Sequence, residues 1–190
     1  PNPTQKPSEA FIVDLSNGNY HLIEKKVVME GQKTAYFSEK FLEITVPVTT
    51  KEQIKEIKKT VTHIAKKHDE EPYKALATTQ QAIFHQLEEQ DEIDAAAIFD
   101  KVFEEKPLAR EAAQLAITEE RVPEKIAVTN VPKYERKYSK QKFKLDNGIE
   151  ITIPSEIYEN KEMVEFINNP DGSVSVLIKN IESILNKFNA

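Results

Sequence analysis

Between Phe143 and Ile178 the apolar residues keep one parity on each side of a glycine-bearing turn, and this leaves few folds open. Phe143, Leu145, Ile149, Ile151 and Ile153 all sit at odd positions. Successive side chains of a strand point to opposite faces, so an odd loop is needed to hold all five on one face. Asp146-Asn147-Gly148 supplies it: a type I turn followed by a left-handed glycine pairs Leu145 with Ile149. Asn169-Pro170-Asp171-Gly172 repeats the device, with Pro at the second turn position and Gly at the fourth, and pairs Phe166 with Val176 and Val164 with Ile178. Each hairpin presents an apolar face that something else must cover, and the run to Asn189 is predicted to close with a helix.

The rest of the chain offers the cover. Residues 1–10, with Pro1, Pro3 and Pro7, read as a disordered lead-in. In 11–68 a further hairpin is predicted around a two-residue Asn17-Gly18 turn that sets Leu15 opposite Tyr20. A short helix follows within 35–44. Thr49 and Glu52 then form a capping box for a helix to about residue 67, with Ile54, Ile57, Val61, Ile64 and Ala65 on one stripe. Residues 69–122 form an acidic helical segment. One helix starts at Pro72 with Tyr73, Leu76, Ile83, Phe84 and Leu87 inward. A second, over 91–105, is apolar almost all round and therefore sandwiched between neighbours. A third, from Pro107 to about Glu120, has Leu108, Ala112 and Leu115 as its buried face. Residues 123–142 read as an extended basic linker between Pro123 and the C-terminal hairpins of 143–190. The fold class expected is α+β: antiparallel β-hairpins at both ends of the chain packed with four to five α-helices, as one domain or two tightly packed subdomains.

Several chemistries find no support. The chain has no cysteine, which removes disulfides and thiolate zinc sites. His21, His63, His68 and His85 show no metal-ligand spacing; His63 and His68 are five apart, on different faces of a helix. Glu88, Glu89, Asp91, Glu92 and Asp94 lack the glycine a calcium loop turns on. All four glycines fall in turns, so none remains for a phosphate-cradling loop. The expectation is a protein that is not an enzyme, with no catalytic residues, no metal and no cofactor. No apolar run reaches the roughly 20 residues of a membrane span, and a cytoplasmic location is expected.

Charge separates the remaining possibilities. The net charge of −6 opposes nucleic-acid binding until it is divided along the chain. Residues 69–124 carry 15 acidic and 5 basic side chains, whereas 1–68 carry 11 basic and 8 acidic, and 125–190 carry 10 and 9. Phosphate attraction depends on the local field, so a basic patch can persist on an acidic protein. The patch is KYERKYSKQKFK at 133–144: Lys133, Arg136, Lys137, Lys140, Lys142 and Lys144 against Glu135, with Tyr134 and Tyr138 interleaved. Such lysines neutralise phosphates, and the tyrosines either stack on bases or pack down. The bland alternative is a solvated linker whose lysines keep an edge strand from pairing with strangers. The helix over 51–67 adds Lys55, Lys59 and Lys66. A helix-turn-helix over 91–120 is disfavoured, because the recognition helix would set Arg110 against Glu111, Glu119 and Glu120.

LDNGIEITIP (145–154) and VEFINNPDGSVSVLIKNIESI (164–184) resemble the C-terminal end of the bacterial nucleoid-associated protein family of the NdpA or YejK type. DLSNGNYHLIEKK (14–26) and YFSEKFLEI (36–44) resemble its middle, in the same order. The chain thus corresponds to the C-terminal two-thirds of that family, and an N-terminal portion is expected upstream. The resemblance implies a non-enzymatic nucleoid component that contacts DNA without sequence preference, or proteins that handle DNA. The competing expectation is a protein-interaction or homodimerisation module whose acidic helices dock on a basic partner.

Overall fold

The computed structural model describes residues 7, 9–18, 20–29, 31–44 and 48–185. The chain forms an α+β fold divided into two compact units, Pro1–Val48 and Thr49–Ala190. The expected lead-in falls almost wholly outside the described residues.

In the N-terminal unit β1 (Ala10–Val13) pairs antiparallel with β2 (Tyr20–Ile23). Val13, not Leu15, lies opposite Tyr20, which corrects the expected two-residue turn. The longer loop is preferred because Asp14 organises it. Its carboxylate accepts from the Ser16 backbone amide and hydroxyl at 2.9 and 2.6 Å and from the Asn17 side-chain amide at 2.8 Å. β3 (Val27–Met29) pairs with β4 (Gln32–Thr34). The short helix expected next is a π-helical segment, Tyr36–Leu42. It buries Ser38, whose amide and hydroxyl both donate to the Glu24 carboxylate. It also brings Phe37 against Phe11 and Phe41, with ring centroids 5.8 and 5.4 Å apart.

The C-terminal unit is built on α1 (Thr50–Lys67) and α2 (Pro72–Glu89). The Thr49–Glu52 capping box starts α1, and Ile54, Ile57, Val61, Ile64 and Ala65 are its buried stripe. α2 is the central helix. Ala75, Ala77, Thr79, Ala82, Ile83, Phe84 and Leu87 are buried on more than one side, because α1, α3 and α5 all pack on it. Tyr73 and Leu76, expected inside, are half-buried.

The helix predicted over 91–105 is shorter. Glu92–Asp94 form β5, paired with β6 (Lys125–Ala127) so that Ile93 and Ile126 are buried opposite each other. Only then does Asp94 cap α3 (Ala95–Val102), accepting from the Ala97 amide at 2.9 Å. α4 (Pro107–Thr118) turns the other way from the expectation: Ala109, Ala113 and Ala116 face the core while Leu108 and Leu115 are exposed. The alanine stripe lets α4 approach α1 and α3 closely, which leucine would prevent.

Residues 123–142 are not an extended linker. They hold β6, α5 (Val131–Tyr138) and the start of β7 (Lys140–Lys144). Pro132 occupies the first turn of α5, where a missing N–H costs nothing, and Asn130 caps the helix by accepting from the Lys133 amide at 3.2 Å. β7 pairs with β8 (Glu150–Pro154), α6 (Ser155–Glu159) follows, and β9 (Val164–Asn168) pairs with β10 (Val174–Ile178).

Phe166 lies opposite Val176 and Val164 opposite Ile178, as parity requires. The Leu145 amide donates to the Ile149 carbonyl at 2.8 Å, and Gly148 and Gly172 have φ of +88° and +84°. The expected closing helix does not form in residues 179–185. Asn180 is left-handed and Ile184 and Leu185 are exposed, so no packing offsets the nucleation of a short helix; the remainder of that expectation lies outside the described residues. Among the described residues no helix is long and apolar enough to cross a membrane.

Candidate nucleic-acid interface

A groove of about 1190 Å³ runs between α1 and the hairpin strands of the C-terminal unit. On α1, residues three and four apart share a face, so Lys55, Lys58, Lys59, Thr62, His63 and Lys66 form one wall. The opposite wall is β7 with its turn, including Lys142, Lys144 and Asp146. Tyr73, Leu76, Phe143, Phe166 and Val176 form an apolar floor, where the rings of Tyr73 and Phe143 approach Phe166 at centroid distances of 5.9 and 5.1 Å.

Three side chains fix β7 where it makes this wall. Gln80 of α2 donates to the Tyr138 and Lys140 carbonyls at 3.2 and 2.7 Å. Gln141, buried, donates back to the Ala77 carbonyl at 3.0 Å. The Ser155 hydroxyl also donates to the Tyr138 carbonyl, at 2.9 Å. A strand anchored to a helix through side-chain amides holds the phase of its alternation, so Gln141 points in while Lys140, Lys142 and Lys144 point out.

The predicted basic residues divide between two places. Lys55, Lys59, Lys66, Lys142 and Lys144 line the groove and are exposed. Lys133, Arg136 and Lys137 on α5, and Lys140 at the start of β7, are exposed but do not line it. The two places meet at Tyr138, over whose ring stand both Lys58 and Lys137, each 5.1 Å from the centroid. Tyr134 and Tyr138 are themselves buried, stacked at 6.4 Å, and take the packed-down alternative. Burial, then the neighbouring Tyr134, pushes the Tyr138 phenol up to about 12.

Among the described residues the acidic segment does not neutralise this surface. Of the basic residues named above, Lys59 alone has a carboxylate of the described residues within 4 Å, Glu56 at 3.3 Å. Acidic residues of 69–124 pair elsewhere: Glu70 with Lys106, Glu92 with Lys125, Glu119 with Arg121.

Lys58, which the sequence places on the lysine-rich surface of the helix but not among the candidate contacts, also lines the groove. Burial, then Lys137, lowers its ammonium below the usual lysine range. Its spacing from Lys55 and Thr62 was the available signal, and the odd parity Gln141 shares with Phe143 was the signal for its burial.

The arrangement is a cationic wall facing another across an apolar floor, with no cluster of metal-binding side chains among the described residues. The model of the nucleoid-associated protein YejK family matches residues 3–186. The chain belongs to that family. Comparison with curated proteins and with solved structures gave no match.

Proposed function

We propose that this chain is a non-enzymatic component of the bacterial nucleoid that holds DNA by its phosphates, without reading sequence, on the basic surface formed by α1, α5 and β7. The observation that carries this reading is the convergence of cations distant in sequence, Lys55, Lys59 and Lys66 with Lys142 and Lys144, on one groove and, among the described residues, largely without carboxylate partners. Lys133, Arg136, Lys137 and Lys140 extend the positive surface beyond the groove. Family membership supports the nucleoid as its place of action. Lysine contacts to phosphate position a duplex and carry no base information.

The test is fluorescence anisotropy with a random duplex at two salt concentrations. Phosphate-driven binding weakens steeply with salt, by a log–log slope of about −0.9 per phosphate neutralised. Charge reversal at Arg136, Lys137 and Lys140 should weaken all duplexes equally and flatten that slope. Unchanged affinity in the folded triple variant refutes a DNA contact there. A second reading, protein docking through α4, has the exposed Leu108 and Leu115 beside Glu111 in its favour. An apolar contact of that kind would be largely insensitive to salt.

A further inference from the structure

Lys58 differs from every other lysine of the groove in being half-buried and in resting on an aromatic face. Among the described residues no carboxylate approaches its Nζ within 4 Å. Its immediate company is cationic: Lys137 shares the Tyr138 ring, and Lys55 and Lys59 flank it on the same wall. Lost hydration and the like charge of Lys137 destabilise this cation relative to the free amine, against the attraction of the Tyr138 face. The same neighbours form a local positive field that gathers small anions from solution.

We propose that Lys58 is an acylation site, modified by small acyl phosphates that the groove lysines concentrate beside it. The neutral Nζ attacks the acyl carbon, a C–N bond forms, and the C–O bond to phosphate breaks. Phosphate leaves with the electron pair, and the proton lost by nitrogen passes to phosphate or solvent. The donor supplies the leaving group; the protein supplies an amine that gives up its proton more readily than an exposed lysine does, and a positive field that draws the phosphate end to the groove. Burial and Lys137 lower the Lys58 ammonium pKa, in the direction that frees the Nζ lone pair. The product is a neutral amide in the middle of the cationic wall. If the DNA reading above holds, on which this consequence rests, acylation at Lys58 removes positive charge from the cationic wall and weakens binding.

Acetyl phosphate is the probe, and acetyl-lysine is quantified by peptide mass spectrometry as a function of time. Lys51 and Lys101, exposed and outside the groove, are the internal references. In the folded protein Lys58 should be modified at least about threefold faster than either, because its amine is free for a larger fraction of the time. In urea the preference should vanish. An uncharged acetyl ester should show a smaller preference than acetyl phosphate, and added salt should reduce the acetyl phosphate preference towards the ester's. Equal rates at Lys58 and the references in the folded protein overturn the proposal. A preference that survives urea also overturns it, since local sequence would then suffice. A preference identical for the two donors overturns the anion-gathering step. Duplex DNA separates this inference from the reading it builds on: protection of Lys58 supports both, whereas a preference undiminished by DNA supports the acylation site and refutes DNA contact at the groove.

Discussion

Helix α4 offers a contrast in which sequence intuition and packing predict opposite signs. The apolar residues that attract the eye are Leu108 and Leu115, yet they are 71% and 50% exposed, while Ala109, Ala113 and Ala116 are 0%, 0% and 1% exposed. Full burial of a leucine side chain is worth about 1.5–3 kcal/mol. Leu108→Ala therefore loses under about 1 kcal/mol, scaled by the fraction it hides. Leu115→Ala, at half exposure, loses about 1 kcal/mol, offset slightly by the helix propensity of alanine. Ala113→Leu is the opposite experiment. It forces added methylenes into a site with no free surface between α4 and its neighbours, where overpacking costs about 1–3 kcal/mol or more. Urea denaturation followed by circular dichroism reads all three changes as midpoint shifts at constant slope. If Leu108 and Leu115 were the core face, their truncation would cost about 2–5 kcal/mol each and Ala113→Leu would be nearly silent. That outcome would refute the assigned rotation of α4.

Other expectations follow from single sites. A Cβ at Gly148 would meet nothing within 4 Å, so Gly148→Val is penalised through its backbone alone. Its φ of +88° makes the cost about 1 kcal/mol or more, while Gly148→Asn should be milder in the same thermal melt. Gln80→Ala removes both donors to the Tyr138 and Lys140 carbonyls and should cost about 1–3 kcal/mol by urea titration. Duplex affinity should fall with it if β7 needs that anchor to hold its lysines in place. Tyr138 and Tyr158 have phenols pushed up to about 12, chiefly by burial. The folded state keeps their protons where the unfolded chain, at 10.0, has lost them, so this contribution is full below pH 10 and is lost as pH rises towards 12. Phenolate absorbance should show Tyr138 and Tyr158 titrating late, and Tyr138→Phe with Tyr158→Phe should flatten alkaline unfolding.

The C-terminal hairpins were legible because parity and a glycine turn are local. Asp146-Asn147-Gly148 and Asn169-Pro170-Asp171-Gly172 leave one register each, and a slip by one would expose every apolar residue. The N-terminal hairpin shows where that argument weakens. A slip of two preserves parity, so alternation cannot distinguish Val13 from Leu15 as the partner of Tyr20, and the Asp14 side chain settles the matter through hydrogen bonds. α4 was misread for a related reason. Helical periodicity identifies candidate faces, but the choice between a leucine face and an alanine face depends on how closely a neighbour approaches.

The basic segment shows how one periodic choice changes a chemical reading. Taken as an extended linker, Lys133 to Lys144 mixes tyrosines and lysines on a common surface, which suggests bases stacked between phosphate contacts. Folded as α5, the same residues separate by angle. Tyr134 and Tyr138, four apart, turn inward, and Lys133, Arg136 and Lys137 remain outside. The aromatic surface then comes from elsewhere: Tyr73, Phe143 and Phe166, drawn from α2, β7 and β9, form the groove floor. No local pattern could have announced this floor, nor that Lys55 and Lys142 share its walls, because α2 sets their relation through Gln80 and the Gln141–Ala77 hydrogen bond. Two neutral amides thus set the geometry of a cationic surface on a protein whose net charge is −6. Gln141→Glu, which would place a carboxylate against the Ala77 carbonyl, should disturb that surface more than reversing an exposed lysine outside it.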